Sequence, residues 1–196
     1  MNKLIQTIRN IFRIEELKDR ILLTFGLLLV YRLGSYVVLP GVDPVMLEQM
    51  NPTGGSAGLT GLIDLFAGGA FSRASIFALG IMPYISASIV VQLMGMVIPS
   101  FQKMMKEGES GRNKINQITR YLTIAVTAAQ AGGFLINLKA QSLDAIILRS
   151  GDTLDLSFVL STVVVLTAGT MFVMWLGEKI TDKGLGNGTS RTSSLR

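Results

Sequence analysis

The chain contains no cysteine and no histidine. The first absence excludes a disulfide framework and any thiolate metal site, and it leaves the redox compartment unread. The second removes the usual zinc ligand and the usual general base. Charge is also scarce: only 16% of the residues are Asp, Glu, Lys or Arg, against about 25% in ordinary soluble domains. The first 20 residues carry five basic side chains but no long apolar core and no small-residue cleavage site, so they do not read as a removable signal peptide. What fills the chain instead is apolar: 49% of it is hydrophobic, with a mean hydropathy of +0.48. The net charge of +5 could suggest nucleic acid, but where the charges fall says more than their sum.

Four segments are long enough to cross a bilayer core, which takes roughly 20 apolar residues. They are 21–39, the uncharged 76–98, 121–138 and 156–176. Any one of them could be the core helix of a soluble protein; four, separated by charged loops, argue for the membrane. Lys and Arg set the orientation. The N-terminal segment, the loop 99–120 and the tail 177–196 alternate correctly across the spans and hold 14 of the 18 basic residues. Only Arg73, Lys139 and Arg149 fall on the other side, which places the N-terminus in the cytoplasm. The segment 1–20 spaces Leu4, Ile5, Ile8, Ile11, Phe12 and Ile14 as a helical stripe opposite Arg and Lys. It is expected to lie along the membrane surface, as an anchor or as a partner-binding element. Arg32, the one charge within a span, is expected to face protein, because a lone intramembrane charge is costly.

The stretch "GLIDLFAGGAFSRASIFALGIMPYISAS" (61–88) poses a topological problem. Span one ends outside at Pro40-Gly41, and the flexible loop 51–60 follows it. The segment from Gly61 to Phe71 therefore begins outside and must return there before the second span starts. Its 11 residues reach roughly 16 Å as a helix, half a bilayer core. Two readings fit: a re-entrant half-helix in a pore or cavity, or an amphipathic helix lying on the outer surface. Gly68-Gly69 and Ser72-Arg73 would supply the turn, and Asp64 argues against contact with lipid.

The residues themselves add to this. "FAGGAFSRASIFALGIMPYISASIVVQL", "YRLGSYVVLPGVD", "KEGESGRNKINQITRY" and "GTMFVMWLGEKITDKGLGNG" resemble the SecY family, the central subunits of the protein-conducting channel, in its bacterial form. The resemblance covers residues 1 to about 188. It implies an all-α integral membrane protein: four transmembrane helices plus a re-entrant plug helix (61–75), the N-terminal part of a ten-helix channel in the bacterial cytoplasmic membrane.

Carried over by motif, the plug residues are Gly61, Leu62, Ile63, Asp64, Leu65, Phe66, Gly68, Gly69, Phe71 and Ser72. Ile81 and Ile85, four apart, are implied as pore-ring residues, whose narrow apolar belt disfavours water and ions. A lateral gate is implied at Ser86, Ile89, Gln92, Thr123, Thr127 and Gln130. The small polar residues of that set suit ordinary helix packing as well. Pro83 is expected to remove one hydrogen bond within the second span. Lys103, Lys106, Arg112 and Lys114 lie in the cytosolic loop that in the family meets the SecA motor or the ribosome; a solvated connector would look the same.

Further implied partners are SecE, SecG, signal sequences, nascent polypeptides and the lipid bilayer, with no sequence-specific nucleic-acid binding and no cofactor. Residues 189–196, "TSRTSSLR", depart from the family and read as a fused tail. With four spans of ten, the chain is expected to be an N-terminal portion that does not conduct alone. A secondary transporter with a broken-helix site is the alternative, but it would want ionisable residues in the later spans. An enzyme finds no paired acids, no histidine and no phosphate-cradling loop to work with.

Overall fold

A computed structural model describes residues 15–50, 59–142, 146, 149–150 and 153–183. The N-terminal segment 1–14, the loop 51–58 and the tail 184–196 lie outside the described residues. The elements in chain order are α1 (Glu15–Gly34), α2 (Pro44–Met50), α3 (Leu59–Phe66), α4 (Met82–Val97), α5 (Pro99–Lys106), α6 (Glu109–Ser142), β1 (Arg149–Ser150), β2 (Thr153–Leu154) and α7 (Leu156–Lys183). Among the described residues the regular elements are helices apart from β1 and β2, which pair antiparallel as Arg149 with Leu154 and Ser150 with Thr153.

Two helices among the described residues, α6 and α7, are long and apolar enough to cross a membrane, and α4 with α5 makes a third if that bent pair is one span. The protein is a membrane protein. α1 carries Lys18, Asp19 and Arg20 near its start and Arg32 near its end, so its uncharged run is short.

Local chemistry explains the helix ends. The Asp43 carboxylate accepts the backbone N–H groups of Val45 (2.9 Å) and Met46 (3.4 Å), capping α2, whose first residue is Pro44. α4 stops at Val97 because Ile98, extended at φ −98° and ψ 117°, precedes Pro99. The chain then turns by 101° into α5. α6 opens on Glu109, an acid where the helix dipole favours one. At 34 residues it is about 51 Å long, well beyond a bilayer core of roughly 30 Å. The expected loop 99–120 is therefore mostly helix: α5 plus the first turns of α6.

The chain divides into two compact units, Met1–Leu33 with Trp175–Arg196, and Gly34–Met174. In the first, the Lys179 ammonium lies 5.8 Å from the centre of the Trp175 ring, and Arg32 is exposed. The second holds the main core, in which Leu39, Val42, Leu47, Ala74, Ala78, Phe134, Leu135, Leu138, Ile146, Phe158 and Leu166 are buried. Within it α4 and α5 pack against α6.

Candidate functional site

The apolar run from Ile76 becomes helical only at Met82; residues 67–81 form a chain of turns. Gly80, in the left-handed region at φ 52°, interrupts any helix that would start earlier. Pro83 consequently sits in the first turn of α4, where its missing N–H has no helical partner to lose, rather than inside the span.

This broken segment is buried: Ala67, Ala70, Ala74, Ser75, Phe77, Ala78 and Leu79 are all inside. Buried backbone must find hydrogen-bond partners, and here it does. Ser75 N–H donates to Ala70 O (3.0 Å), Ala78 to Ser75 O (2.9 Å) and Gly80 to Phe77 O (2.8 Å). The Ser75 hydroxyl accepts the Phe77 N–H at 3.2 Å. The stretch after α1 completes the set. Val38 and Ser75 form an antiparallel bridge, with Leu39 N–H donating to Ala74 O and Ile76 N–H to Val37 O, each at 2.9 Å.

Phe77 locks the segment against two helices. A Cβ on Gly34 would run into the Phe77 ring, and one on Gly169 would collide with the Ile76 carbonyl oxygen. Phe77 also stacks on Phe172, centroids 5.9 Å apart and planes 15° apart. The sequence reading missed Phe77, Gly34, Ser75 and Gly169. Glycine within "YRLGSY" and "TAGTM" was the available signal, but close approach cannot be told from ordinary helical glycine without the partner backbone.

In α3, by contrast, Leu62, Leu65 and Phe66 turn outward and are exposed, Leu65 to 78%. The helix is tied to the turns through its C-terminal end. Gly69 N–H donates to Asp64 O (2.9 Å) and Gly68 N–H to Leu65 O (3.2 Å), and the Asp64 carboxylate accepts the Ser72 N–H at 2.9 Å. Gly68 and Gly69 follow at φ 62° and 81°. Phe71 meets Phe134 edge to face at 5.3 Å. The Arg73 guanidinium lies 4.6 Å from the Tyr36 ring centre, with Nη1 buried and without a hydrogen-bond partner among the described residues. That stacking offsets part of the desolvation. The side chain of Ile63 is outside the described residues.

α4 has two unlike faces. Pro83, Ala87, Val91 and Gly95 are buried. Ile85 and Ile89 are exposed, at 42% and 52%, together with Leu93, Met96 and Val97. Ile81 caps the helix, half-buried, and its carbonyl accepts the Ile85 N–H at 3.1 Å, so the two isoleucines are one turn apart. Ser86 donates to Met82 O (3.1 Å) and Gln92 to the Ser88 hydroxyl (3.2 Å).

Thr123 and Thr127 stand on the packed face of α6, fully buried. Each hydroxyl donates to the carbonyl four residues earlier, at 2.7 Å. Their polarity is thus spent within their own helix, and the small side chains allow close helix approach. Gln130 is half-buried further along. So Ile85, Ile89 and Gln92 share an outward surface, while Thr123 and Thr127 do not join it.

The cations of the α5–α6 corner are all exposed. Lys114 makes a loose surface pair with Glu107 at 3.6 Å; Lys103 and Lys106 lie in the last turn of α5. Among the described residues no group of three or more acidic side chains could hold a metal ion.

The SecY family model matches residues 75–192. The chain belongs to the SecY family. It is 46% identical over 180 residues to the protein translocase subunit SecY of Escherichia coli K12, covering 89% of this chain and 39% of that protein. Against the subunit of the same name from Streptomyces coelicolor it is 43% identical over 183 residues, 91% of this chain and 42% of that one. The Buchnera aphidicola subunit matches at 46% over 178 residues, 90% and 39%. The chain thus spans about two fifths of the length of these relatives. The SecY match takes in Ile81, Ile85, the residues from Ser86 to Gln130 and the α5–α6 cations. It runs to residue 192, so it includes the first part of the polar stretch 189–196 that the sequence reading set apart.

Proposed function

We propose that this chain forms part of a protein-conducting channel that moves unfolded secretory proteins across the bacterial cytoplasmic membrane and releases membrane helices sideways. Four spans, near 21–39, 76–98, 121–138 and 156–176, have the N-terminus in the cytoplasm, and α3 with the turns after it is the re-entrant plug. The observation that carries this reading is the buried, internally hydrogen-bonded break at 67–81. Irregular backbone at membrane depth survives only inside protein or beside a wet cavity, and here it joins a weakly packed half-helix to a helix presenting isoleucines outward. Membership of the SecY family supports it.

Ile81 and Ile85 contribute to the pore ring; Ser86, Ile89 and Gln92 form the α4 side of the lateral gate. Thr123 and Thr127 back that side as close-packing residues, with Gln130 beyond them. SecE and SecG surround the channel, signal sequences and nascent chains pass it, and SecA or the ribosome meets Lys103, Lys106, Arg112 and Lys114. The chain catalyses no reaction of its own; the motor or ribosome supplies the energy.

The test is photocrosslinking from Ile85 to an arrested secretory precursor, in membranes and within the assembled translocase. The expected result is a precursor adduct that disappears when the signal sequence is deleted. No adduct from an assembled, precursor-engaged complex overturns the pore assignment.

A further inference from the structure

Two features meet at the junction of α3 with the buried turns. One is a flexible joint: Gly68 and Gly69 are consecutive and both left-handed, a conformation that glycine enters and leaves at little cost. The other is a fastening across that joint. The Asp64 carboxylate on α3 accepts the backbone N–H of Ser72, eight residues later and on the far side of the glycines. On the α3 side, Leu62, Leu65 and Phe66 are exposed and contribute little hold. On the other side, Arg73 stacks on Tyr36, and Ala74 and Ile76 are hydrogen-bonded to the stretch after α1. Ser72 is therefore held by a fixed base, and the Asp64 carboxylate reaches across the glycines to it.

We propose that Asp64 is a positioning residue, a clasp whose hydrogen bond to the Ser72 N–H holds α3 docked, with Gly68–Gly69 as the hinge on which α3 swings when the clasp opens. The proposal deepens the reading of α3 as a plug and rests on it for its consequence in transport, though not for the clasp itself. A carboxylate accepting a backbone N–H across a part-buried gap is a charge-assisted bond. Its loss favours the released form by roughly ten- to a hundredfold. The neutral amide of Asn keeps an acceptor oxygen and falls between.

The chain has no cysteine, so single thiols report cleanly. Ala67 precedes the hinge and is 2% exposed; Ala78 follows it and is fully buried. Swinging α3 uncovers the first and leaves the second covered. The experiment places Ala67→Cys or Ala78→Cys in the membrane-embedded, assembled complex and measures the rate of labelling by a small water-soluble maleimide. The background is wild type, Asp64→Asn or Asp64→Ala.

The expected result is labelling of Ala67→Cys that rises roughly ten- to a hundredfold with Asp64→Ala and less with Asp64→Asn, with Ala78→Cys unchanged. An unchanged Ala67→Cys rate overturns the clasp. An equal rise at Ala78→Cys overturns it too, since the base would then be unfolding rather than the hinge opening. Ion leak across the same membranes separates the two readings. A labelling rise without leak leaves the clasp standing and sinks the plug assignment; no labelling rise sinks the clasp and leaves the plug assignment untouched.

Discussion

α3 and the turns that follow it are neighbours in sequence and similar in apolar content, yet they are held in opposite ways. The turns have no regular structure but are buried, hydrogen-bonded and locked by Phe77. α3 is a regular helix whose described large side chains, Leu62, Leu65 and Phe66, face outward, and its C-terminal end is tied to the turns through Asp64. Regular secondary structure is thus no measure of how firmly a segment is held; partners are. A short helix satisfies much of its own backbone and can stand apart. A buried irregular segment cannot, so its surroundings must supply donors, acceptors and close-fitting surfaces.

The contrast can be broken most sharply at Phe77. Replacing it by Ala leaves a cavity between Gly34, Gly169 and Phe172, and should cost about 3–5 kcal/mol. Leu65→Ala on α3 should cost less than about 0.5 kcal/mol, as for other exposed positions. Thermal unfolding in detergent reads both, and equal losses would erase the distinction.

Gly169→Val comes next. Its Cβ meets the Ile76 carbonyl, which is backbone and cannot swing aside, so a loss of about 2 kcal/mol is expected. The same measurement on Gly34→Ala should also show a loss, because the Phe77 ring it meets is buried and stacked on Phe172.

Ala74 and Ala78 make a finer test inside the turns. Both are fully buried, but only Ala74 has a positive φ, 45°. Ala78→Gly should lose roughly 1 kcal/mol to backbone entropy and the missing methyl. For Ala74→Gly the relief of left-handed strain, about 1–2 kcal/mol, offsets that loss. The difference between the two in denaturant titrations is the readout.

The smallest effect is expected at the α5–α6 corner. Lys114→Ala should change stability by only a few tenths of a kcal/mol, because an exposed pair at 3.6 Å is weak and screened. A loss of motor or ribosome binding without a loss of stability would assign the corner to a partner.

Much of this was legible in the residues. The uncharged run at 121–138 lies within α6 and that at 156–176 within α7, because length and apolarity are properties of the run itself. The break near Gly68-Gly69 was also readable, since glycine pairs and a topological mismatch both mark it. The extent of the break was not. An apolar run from Ile76 looks the same whether its first residues are helical or folded into buried turns, and only the Val38–Ser75 bridge and Phe77 decide. The Thr123–Thr127 pair has the spacing of a shared face, but spacing does not say whether that face meets a pore or another helix.

By itself the sequence determined that the runs within α6 and α7 are apolar enough for the membrane, the sign of the flanking charge, and the family, through long motifs of low degeneracy. Only the tertiary structure decided which apolar residues are covered. It put Phe77 inside and Leu65 outside, drew Pro83 to a helix start, and joined Asp64 to the Ser72 N–H. Hydropathy belongs to each residue, whereas burial and hydrogen bonding belong to pairs of segments distant in the chain, and their pairing appears only when the chain is folded.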